Sequence, residues 1–261
     1  MTITNHILTN NIKINAAKVI SNDILPKGAS IPGKTQTIKK ITIHNTGLDN
    51  VKANNFHRSL KRENGLSNGR KASWHLCVDD IEIYQHIKFN QVAWHAGNST
   101  GNNTSIGIEC TQWTDKAKQE KTWLNAAHLT AILLKHYNLT INDVVQHNHW
   151  SGKDCPYYLR HNKHGFNWTW FISKVKYYLN NNTNTTTNTT TNKQESEGTF
   201  KPYTIKVTAN VLNVRSGPGT KYNITTTIKK DEVYTIIDSK SNWGKLKSGA
   251  GWICLDYTVK R

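Results

Sequence analysis

The chain has 261 residues, enough for one large domain or two small ones. Hydrophobic residues make up 36% of it, and 34 lysines and arginines against 17 aspartates and glutamates give a formal charge of +17. This balance excludes an acidic, solvating protein. It favours a polyanionic partner, such as nucleic acid, an anionic membrane surface or an acidic wall polymer.

The first 180 residues predict an α/β domain in which helices pack on a mixed central sheet. β-Branched alternation and apolar residues at helical spacing define its elements. The segment 81–85 is expected to pair with 73–78 as a hairpin, and residues 12–20 to form a short strand or helix packed on the domain. The predicted strands are 39–44, 73–78, 81–85 and 105–110, and the predicted helices are 51–62, 115–137 and 167–179.

A compositional boundary follows this domain. Residues 180–192 are all Asn or Thr, and 193–198 are polar. Such a stretch has no apolar side chains to bury, so it cannot offset the entropy lost on ordering. We therefore predict a domain at 1–180, a flexible linker at 181–202 and a second domain at 203–261.

The second domain is predicted to be all-β, a small barrel or sandwich. Turn sequences at 216–219 and 248–251 separate short apolar runs, and no helical pattern is present. The predicted strands are 203–208, 212–214, 224–228, 232–237, 243–247 and 251–254.

Other sequence features bear on where the chain acts. No run reaches 18 apolar residues, so no membrane insertion is expected. The N-terminus lacks a basic segment followed by an apolar one, which favours synthesis in the cytoplasm without a signal peptide. The cysteines, at 77, 110, 155 and 254, form no Cys-x-x-Cys pair, so a disulfide framework is not indicated.

Three residues are candidate metal ligands. His44 ends the first predicted strand, and His147 and Cys155 lie in one loop that ends in Cys-Pro. Two histidines and a cysteine, with a fourth position open to water, are typical of a catalytic zinc site. His149 is the rival for His147, because it lies only two residues away.

Four motifs in order resemble the zinc-dependent N-acetylmuramoyl-L-alanine amidases, the type 2 amidases of phage endolysins and autolysins, whose fold is related to the peptidoglycan recognition proteins. The resemblance covers about residues 35–175. The motifs are Ile-His-Asn-Thr around His44, Ala93-Trp-His-Ala-Gly97, Ser105-Ile-Gly-Ile-Glu109, and His147 followed by Ser151-Gly-Lys-Asp-Cys-Pro156.

The resemblance implies a Zn²⁺ ion on His44, His147 and Cys155. In that family the last ligands have the form His, seven residues, Cys, which selects His147 over His149. The implied reaction is metal-assisted amide hydrolysis, in which zinc polarises the scissile carbonyl and lowers the pKa of its bound water.

The resemblance also implies roles for four further residues. Glu109 is expected to be the general base, and Lys153 to stabilise the oxyanion. His95 is expected to contact substrate near the zinc, with a structural role nearly as plausible. Trp74 is a second substrate-binding candidate, at a position where family members often carry Tyr; an indole has no hydroxyl, so an acid–base role is in doubt there.

The last 59 residues resemble a bacterial SH3-like cell-wall-binding domain. The residues that carry this resemblance are Leu212-Asn-Val-Arg-Ser-Gly-Pro-Gly-Thr220, Trp243-Gly-Lys245 and Gly251-Trp-Ile253. The implied role is to tether the chain to peptidoglycan, and positive charge would add attraction to anionic teichoic polymers. Tyr222, Trp243 and Trp252 are candidate platform residues.

The sequence thus predicts a peptidoglycan hydrolase that cuts the bond between N-acetylmuramic acid and L-alanine, acts on the cell wall after holin-type release, and is a monomer. The alternative is a recognition protein that binds peptidoglycan without cutting it, a class that would lack the cysteine ligand. Nucleic-acid binding is disfavoured, because no basic-aromatic or helix-turn-helix motif is present.

Overall fold

The computed structural model describes residues 2–15, 17–181, 202–220, 222–240 and 242–261. These residues fall in two compact units, one within 1–187 and the other within 188–261. All but the two end residues of the predicted linker, 181–202, lie outside the described residues. Within the described ranges, no helix is long and apolar enough to span a membrane.

The first unit is an α/β domain. Its strands are β1 (Ile3–Thr4), β2 (Ile7–Leu8), β3 (Lys13–Ile14), β4 (Ala17–Ile20), β5 (Lys40–Asp49), β6 (Leu76–Val78), β7 (Glu82–Gln85), β8 (Ser105–Gln112) and β9 (Val144–Gln146). Its helices are α1 (Ala53–Gly65), α2 (Ser99–Thr104), α3 (Lys116–His136), α4 (Asn148–Ser151), α5 (Tyr157–Arg160) and α6 (Trp168–Asn181), with 3-10 turns at Ile141–Asp143 and Lys163–Gly165.

Seven strands form a mixed sheet in the order β3-β4-β7-β6-β8-β5-β9, as the predicted fold class requires. β5 pairs in parallel with both β8 and β9, and β8 pairs in parallel with β6. β6 and β7 form the predicted antiparallel hairpin. The 12–20 segment forms β3 and β4, and β4 extends the sheet as a parallel neighbour of β7.

The two faces of this sheet are covered differently. On β5, Ile41 and Ile43 belong to the main apolar cluster, which also contains Trp123 of α3 and Phe171 of α6. Helix α3 begins after Asp115, whose side chain accepts a hydrogen bond from the Lys118 N–H and so satisfies one free donor of the first turn. Because side chains alternate along a strand, His44 lies on the opposite face.

That opposite face is partly covered by α1. Leu60 of α1 packs in a second apolar cluster with Leu25 and Ile31 of the N-terminal segment. Asn64, at the end of α1, fixes this segment: its Oδ1 accepts the N–H groups of Ser30 and Ile31. The N-terminal segment therefore supports the helix beside the cleft described below.

The second unit is all-β, with one seven-stranded antiparallel sheet and a 3-10 turn at Leu255–Tyr257. Its strands are β10 (Tyr203–Val207), β11 (Val211–Arg215), β12 (Ile224–Lys229), β13 (Val233–Lys240), β14 (Trp243–Leu246), β15 (Trp252–Cys254) and β16 (Thr258–Lys260), in the order β12-β11-β15-β14-β13-β10-β16. The six predicted strands are present, and β16 is additional. Ile205, Val214, Ile236 and Ile253 are among its core residues.

Candidate active site

The candidate site lies where three neighbouring parallel strands of the first unit end. His44 on β5 is directly opposite Glu109 on β8, and His147 follows the last residue of β9. The carboxyl ends of parallel strands are the usual place for ligand sites in such sheets. Here they open into a cleft of about 650 Å³ that also contains Lys153 and Cys155.

Side chains that lie far apart in sequence meet at the floor of this cleft. The Nδ1 atoms of His44 and His147 are 3.0 Å apart, and the Cys155 Sγ atom lies 3.9 Å from His44 Nδ1. All three donor atoms lie within 4.8 Å of one another, and all three residues are buried. The structure therefore brings together the three predicted ligands.

The hydrogen bonds around His44 and His147 define which ring nitrogen of each carries the proton. His95 Nε2 lies 3.2 Å from the Ser105 carbonyl oxygen, which can only accept, so His95 carries its proton there. His95 Nδ1 then accepts from His44 Nε2 at 3.0 Å. His147 bonds to the Ala96 backbone, and its Nε2 side faces the neighbouring Gly97. Both Nδ1 lone pairs therefore point inward.

Burial keeps these imidazoles neutral. Desolvation lowers the pKa of His44 well below its usual value, that of His95 to about 3 and that of His147 to about 4. Two facing lone pairs 3.0 Å apart repel each other unless a cation lies between them. For tetrahedral zinc, bond lengths of about 2.0–2.3 Å place donor atoms roughly 3.3–3.6 Å apart. The chemistry of the donor set therefore fits a zinc ion, and the spacings of 3.0 and 3.9 Å to His44 Nδ1 lie on either side of that range.

Asn45 fixes the loop that carries Cys155, the third predicted ligand. Its backbone N–H donates to Cys155 Sγ at 3.4 Å, and its side-chain oxygen accepts the Tyr158 N–H at 2.9 Å. Burial raises the pKa of the Cys155 thiol to about 12, with a further contribution from Glu109. A bound metal deprotonates a coordinating thiol outright, so this loop can supply a thiolate once a cation is present.

The rival ligand His149 lies away from the cluster. It is exposed on α4, where its ring packs edge-on against Trp150. Trp150 in turn donates its indole N–H to Thr42 at 2.9 Å. The helical turn of α4 thus directs His147 into the cleft and His149 out of it.

Glu109 is close to the cluster without belonging to it. Its Oε1 lies 3.9 Å from His44 Nδ1, and its Oε2 is buried with no hydrogen-bond partner in the described part of the chain. Burial raises the pKa of this carboxyl to about 8, against the opposing charges of Lys153 and Arg70. A carboxyl with a pKa near neutrality can both accept and donate a proton.

The remaining predicted residues line the same cleft. Lys153 is exposed, and its charge lowers the pKa values of His147 and Glu109. Trp74 is buried, and its indole N–H has no partner among the residues that the structure describes. The roles predicted for these residues stay predictions.

Sequence reasoning missed the far wall of the cleft. The additional lining residues come from the end of β5, from α1, from the loop after α1 and from the Ala93–Gly97 motif, and include Leu48, Phe56, Ser59, Glu63, Arg70, Ala72 and Trp94. Trp94 lies in the Ala93–Gly97 motif and could have been found there. Arg70 could not, because its proximity to Glu109 depends on the path of the loop after α1 in three dimensions.

Each of the two units is similar to known proteins. Residues 34–158 match the family model for N-acetylmuramoyl-L-alanine amidase, and residues 210–257 match that for bacterial SH3 domain. The chain is 34% identical to the solved catalytic domain of XlyA, with a TM-score of 0.53, over 61% of this chain and 99% of that domain.

Two Bacillus subtilis (strain 168) proteins are similar to about half of this chain. The N-acetylmuramoyl-L-alanine amidase XlyA is 41% identical over 142 residues, and the N-acetylmuramoyl-L-alanine amidase CwlH is 39% identical over 142 residues. Each alignment covers 52% of this chain, together with 46% of XlyA and 55% of CwlH. The chain thus spans about half the length of these proteins.

The fold and the site define a two-part protein in which an α/β unit carries a His-His-Cys cluster and an all-β unit is a bacterial SH3 domain. The chain belongs to the N-acetylmuramoyl-L-alanine amidase family.

Proposed function

We propose that the chain is an endolysin-like peptidoglycan hydrolase that cleaves the amide bond between N-acetylmuramic acid and L-alanine. The observation that carries this proposal is the cluster of His44, His147 and Cys155 beside Glu109, at the floor of an open cleft in a fold of this family. A recognition protein that only binds is not favoured, because Cys155 is present and its thiol lies against His44.

We propose Zn²⁺ as the cofactor, with His44, His147 and Cys155 as its protein ligands. Zinc in such a site supplies Lewis acidity, which polarises a carbonyl group and lowers the pKa of water. Two neutral imidazoles and one thiolate would hold the ion and would leave one position for substrate or water. The open side of the cluster faces the cleft, since all three residues line it.

Glu109 moves the proton in this scheme. Its carboxylate takes a proton from the attacking water and passes it to the nitrogen of the departing L-alanine. The unpartnered Oε2 is suited to this task, because no protein hydrogen bond has to break first. Lys153 supplies positive charge on the rim, where negative charge develops on the carbonyl oxygen.

We propose that the second unit holds the chain on the cell wall by one face of its sheet, the outer face, formed by Arg215, Lys240, Trp243, Lys245 and Trp252. Pairing across the strands aligns Arg215 with Trp252 and Trp252 with Lys245. Lys240 is opposite Trp243. Their immediate sequence neighbours Val214, Leu246 and Ile253 are buried, so these five side chains point outward together.

The chemistry of the outer face suits a wall polymer with negative charge. It combines three cations with two partly exposed indole rings, and Asp238, opposite Lys245, is the acidic residue aligned with it. Arg215 is held rigidly, because its guanidinium donates to the carbonyls of Thr220 and Tyr222. Flat rings can contact sugars, while the cations attract teichoic phosphates in a manner that salt weakens.

Product analysis tests the proposed reaction. Purified Gram-positive peptidoglycan would be digested with the full chain and the fragments identified by mass spectrometry. The proposal predicts new L-alanine amino termini and intact glycan strands. New reducing sugar ends would instead identify a glycosidase, and binding without cleavage would restore the recognition-protein alternative.

A further inference from the structure

His95 has a place in the structure that substrate contact does not explain. It is buried, with 8% of its surface exposed, and both ring nitrogens are engaged by protein atoms. Nε2 bonds to the Ser105 carbonyl and Nδ1 to His44 Nε2. A side chain whose two polar atoms are already paired has little left to offer a substrate.

The surroundings of His95 hold its ring in one position. Asn102 Oδ1 accepts the backbone N–H groups of both His95 and Ala96, at 2.9 and 2.8 Å. The ring packs directly on Gly107 of β8, where a Cβ atom would lie 2.6 Å from His95 Cγ. The absence of a side chain at Gly107 is therefore what allows the ring to reach His44.

We infer that His95 is a positioning residue, which holds His44 in the tautomer whose Nδ1 lone pair faces the proposed metal. The Ser105 carbonyl, at one end of these two hydrogen bonds, determines which atom donates in each of them. The Ser105 carbonyl cannot donate, so the proton of His95 is on Nε2, and the proton of His44 must then be on its own Nε2. In metal sites generally, a group that hydrogen-bonds to the second ring nitrogen of a ligand histidine fixes the tautomer and the orientation of that ring.

The next residue in the loop does the same for the second histidine. His147 bonds to the Ala96 backbone, and its Nε2 side lies against Gly97. Residues 95 and 96 thus direct both Nδ1 atoms toward the same point. This inference rests on the zinc site proposed above, but the tautomers that it requires exist in the metal-free protein and can be measured there.

The first test is NMR on the metal-free full chain labelled with ¹⁵N. Two-bond ¹H–¹⁵N correlation spectra distinguish a histidine protonated at Nε2 from one protonated at Nδ1. The inference predicts Nε2 protonation of both His44 and His95. Nδ1 protonation of His44 would overturn it without any substitution.

The second test compares two substitutions of similar size, His95→Asn and His95→Leu. An asparagine side chain keeps an oxygen near the position of the histidine Nδ1, whereas leucine has no acceptor, so the pair separates the hydrogen bond from packing. Zinc affinity, measured by competition with a chromophoric chelator, is expected to fall about 10- to 100-fold in His95→Leu. In His95→Asn it is expected to stay within a few-fold of the parent.

Equal loss in both variants would mean that His95 acts only by packing, and no loss in either would mean that His44 needs no support; both results overturn the inference. Gly107→Ala provides a variant that keeps His95 but displaces its ring, and it is expected to weaken zinc binding in the same direction. If the parent chain takes up no zinc while His44 is protonated on Nε2, the zinc proposal fails and the positioning role stands.

Discussion

Buried positions are filled differently in the two units of this chain. In the first unit they include His44, His75, His86, His95 and His147. In the second unit, every buried side chain that the structure describes is apolar. Buried polar groups are costly unless they are paired or have a function. The comparison teaches that, among the described residues, buried polar groups are concentrated in the first unit, while the second presents its polar groups at its surface.

Removing the thiol of the proposed ligand Cys155 is expected to have the largest effect of the substitutions considered. Cys155→Ser should lower zinc affinity more than about 100-fold, because losing a ligand costs more than losing an outer partner, and should abolish hydrolysis. Equilibrium dialysis and a turnover assay would measure both.

The matched control lies in the other unit. Cys254→Ser changes the same atom at a partly exposed position beside Asp256, and it should leave metal content and turnover unchanged. Equal losses in the two variants would mean that the contrast between the units is wrong.

Glu109→Gln should separate metal binding from proton transfer. The amide keeps the size of the side chain but cannot take a proton, so turnover should fall about 100-fold or more. Zinc content should stay at the parent level, because Glu109 is not among the proposed ligands and its Oε1 lies 3.9 Å from His44 Nδ1. Undiminished hydrolysis by this variant would remove Glu109 from the reaction.

Lowering the pH should affect the stability of the two units differently, because their histidine content differs. Burial lowers the pKa of His75 from 6.5 to about 4 and that of His86 well below 6.5, so as pH falls below 6.5 the unfolded chain takes up protons before the folded one. The first unit should therefore lose stability between pH 6.5 and 4.

The second unit contains no histidine, and the shifted carboxyls of Asp231 and Glu232 titrate below their usual pKa values of 3.8 and 4.5. Its stability should stay constant between about pH 6.5 and 5. Calorimetry of the full chain in chelator should show one unfolding transition that moves with pH and one that does not; two transitions moving together would contradict this prediction.

Changing the charge of the outer face is expected to have a smaller effect, which is on wall binding. Replacing Lys240 and Lys245 together by glutamate should weaken binding to purified walls by roughly 3- to 10-fold, with a reduced dependence on salt. Cleavage of a small soluble muropeptide should be unaffected. The control, Lys121→Glu with Lys135→Glu on exposed positions of α3, makes the same change in net charge and should leave wall binding nearly intact.

The smallest effect is expected at Trp74. Its indole N–H makes no hydrogen bond with any described residue. Trp74→Phe therefore removes a donor without breaking a hydrogen bond to those residues. Turnover on the soluble muropeptide should stay within about threefold of the parent, since the indole offers no group for acid–base work. A much larger loss in kcat would show that this position takes part in the reaction.

Periodicity was sufficient for the long elements of the fold. Apolar spacing predicted the long helices α3 and α6 and the first residues of β5 and β8, which extend beyond the predicted 39–44 and 105–110 to Asp49 and Gln112. Helix α2 was not predicted in this way, because its six residues, Ser99–Thr104, are poor helix formers. It depends on a cap from Asn98 and on Trp150, which packs against Gly101.

The N-terminal strands were equally hard to predict, since β1–β3 have two residues each. Their turns depend on left-handed backbone at Asn5, His6, Asn11 and Asn15, a conformation that asparagine adopts more readily than most residues.

The residues of the candidate site were predictable from the sequence, but the hydrogen bonds between them were not. Spacing and resemblance identified His44, His147, Cys155, Glu109 and Lys153, all of which line one cleft. The position of His95 between His44 and Ser105 could not be inferred from sequence, because a motif does not show which ring nitrogen faces which partner. That requires the register of β5 and β8 and the close approach at Gly107.

The central claim is that zinc held by His44, His147 and Cys155 is required for amide hydrolysis. The most direct test is to strip the full chain of metal and titrate zinc back while measuring cleavage of a soluble N-acetylmuramoyl-peptide. We predict no activity in the stripped protein, full recovery at one zinc per chain, and no recovery in Cys155→Ser. Full activity in the stripped protein, or recovery in Cys155→Ser equal to the parent, would contradict it.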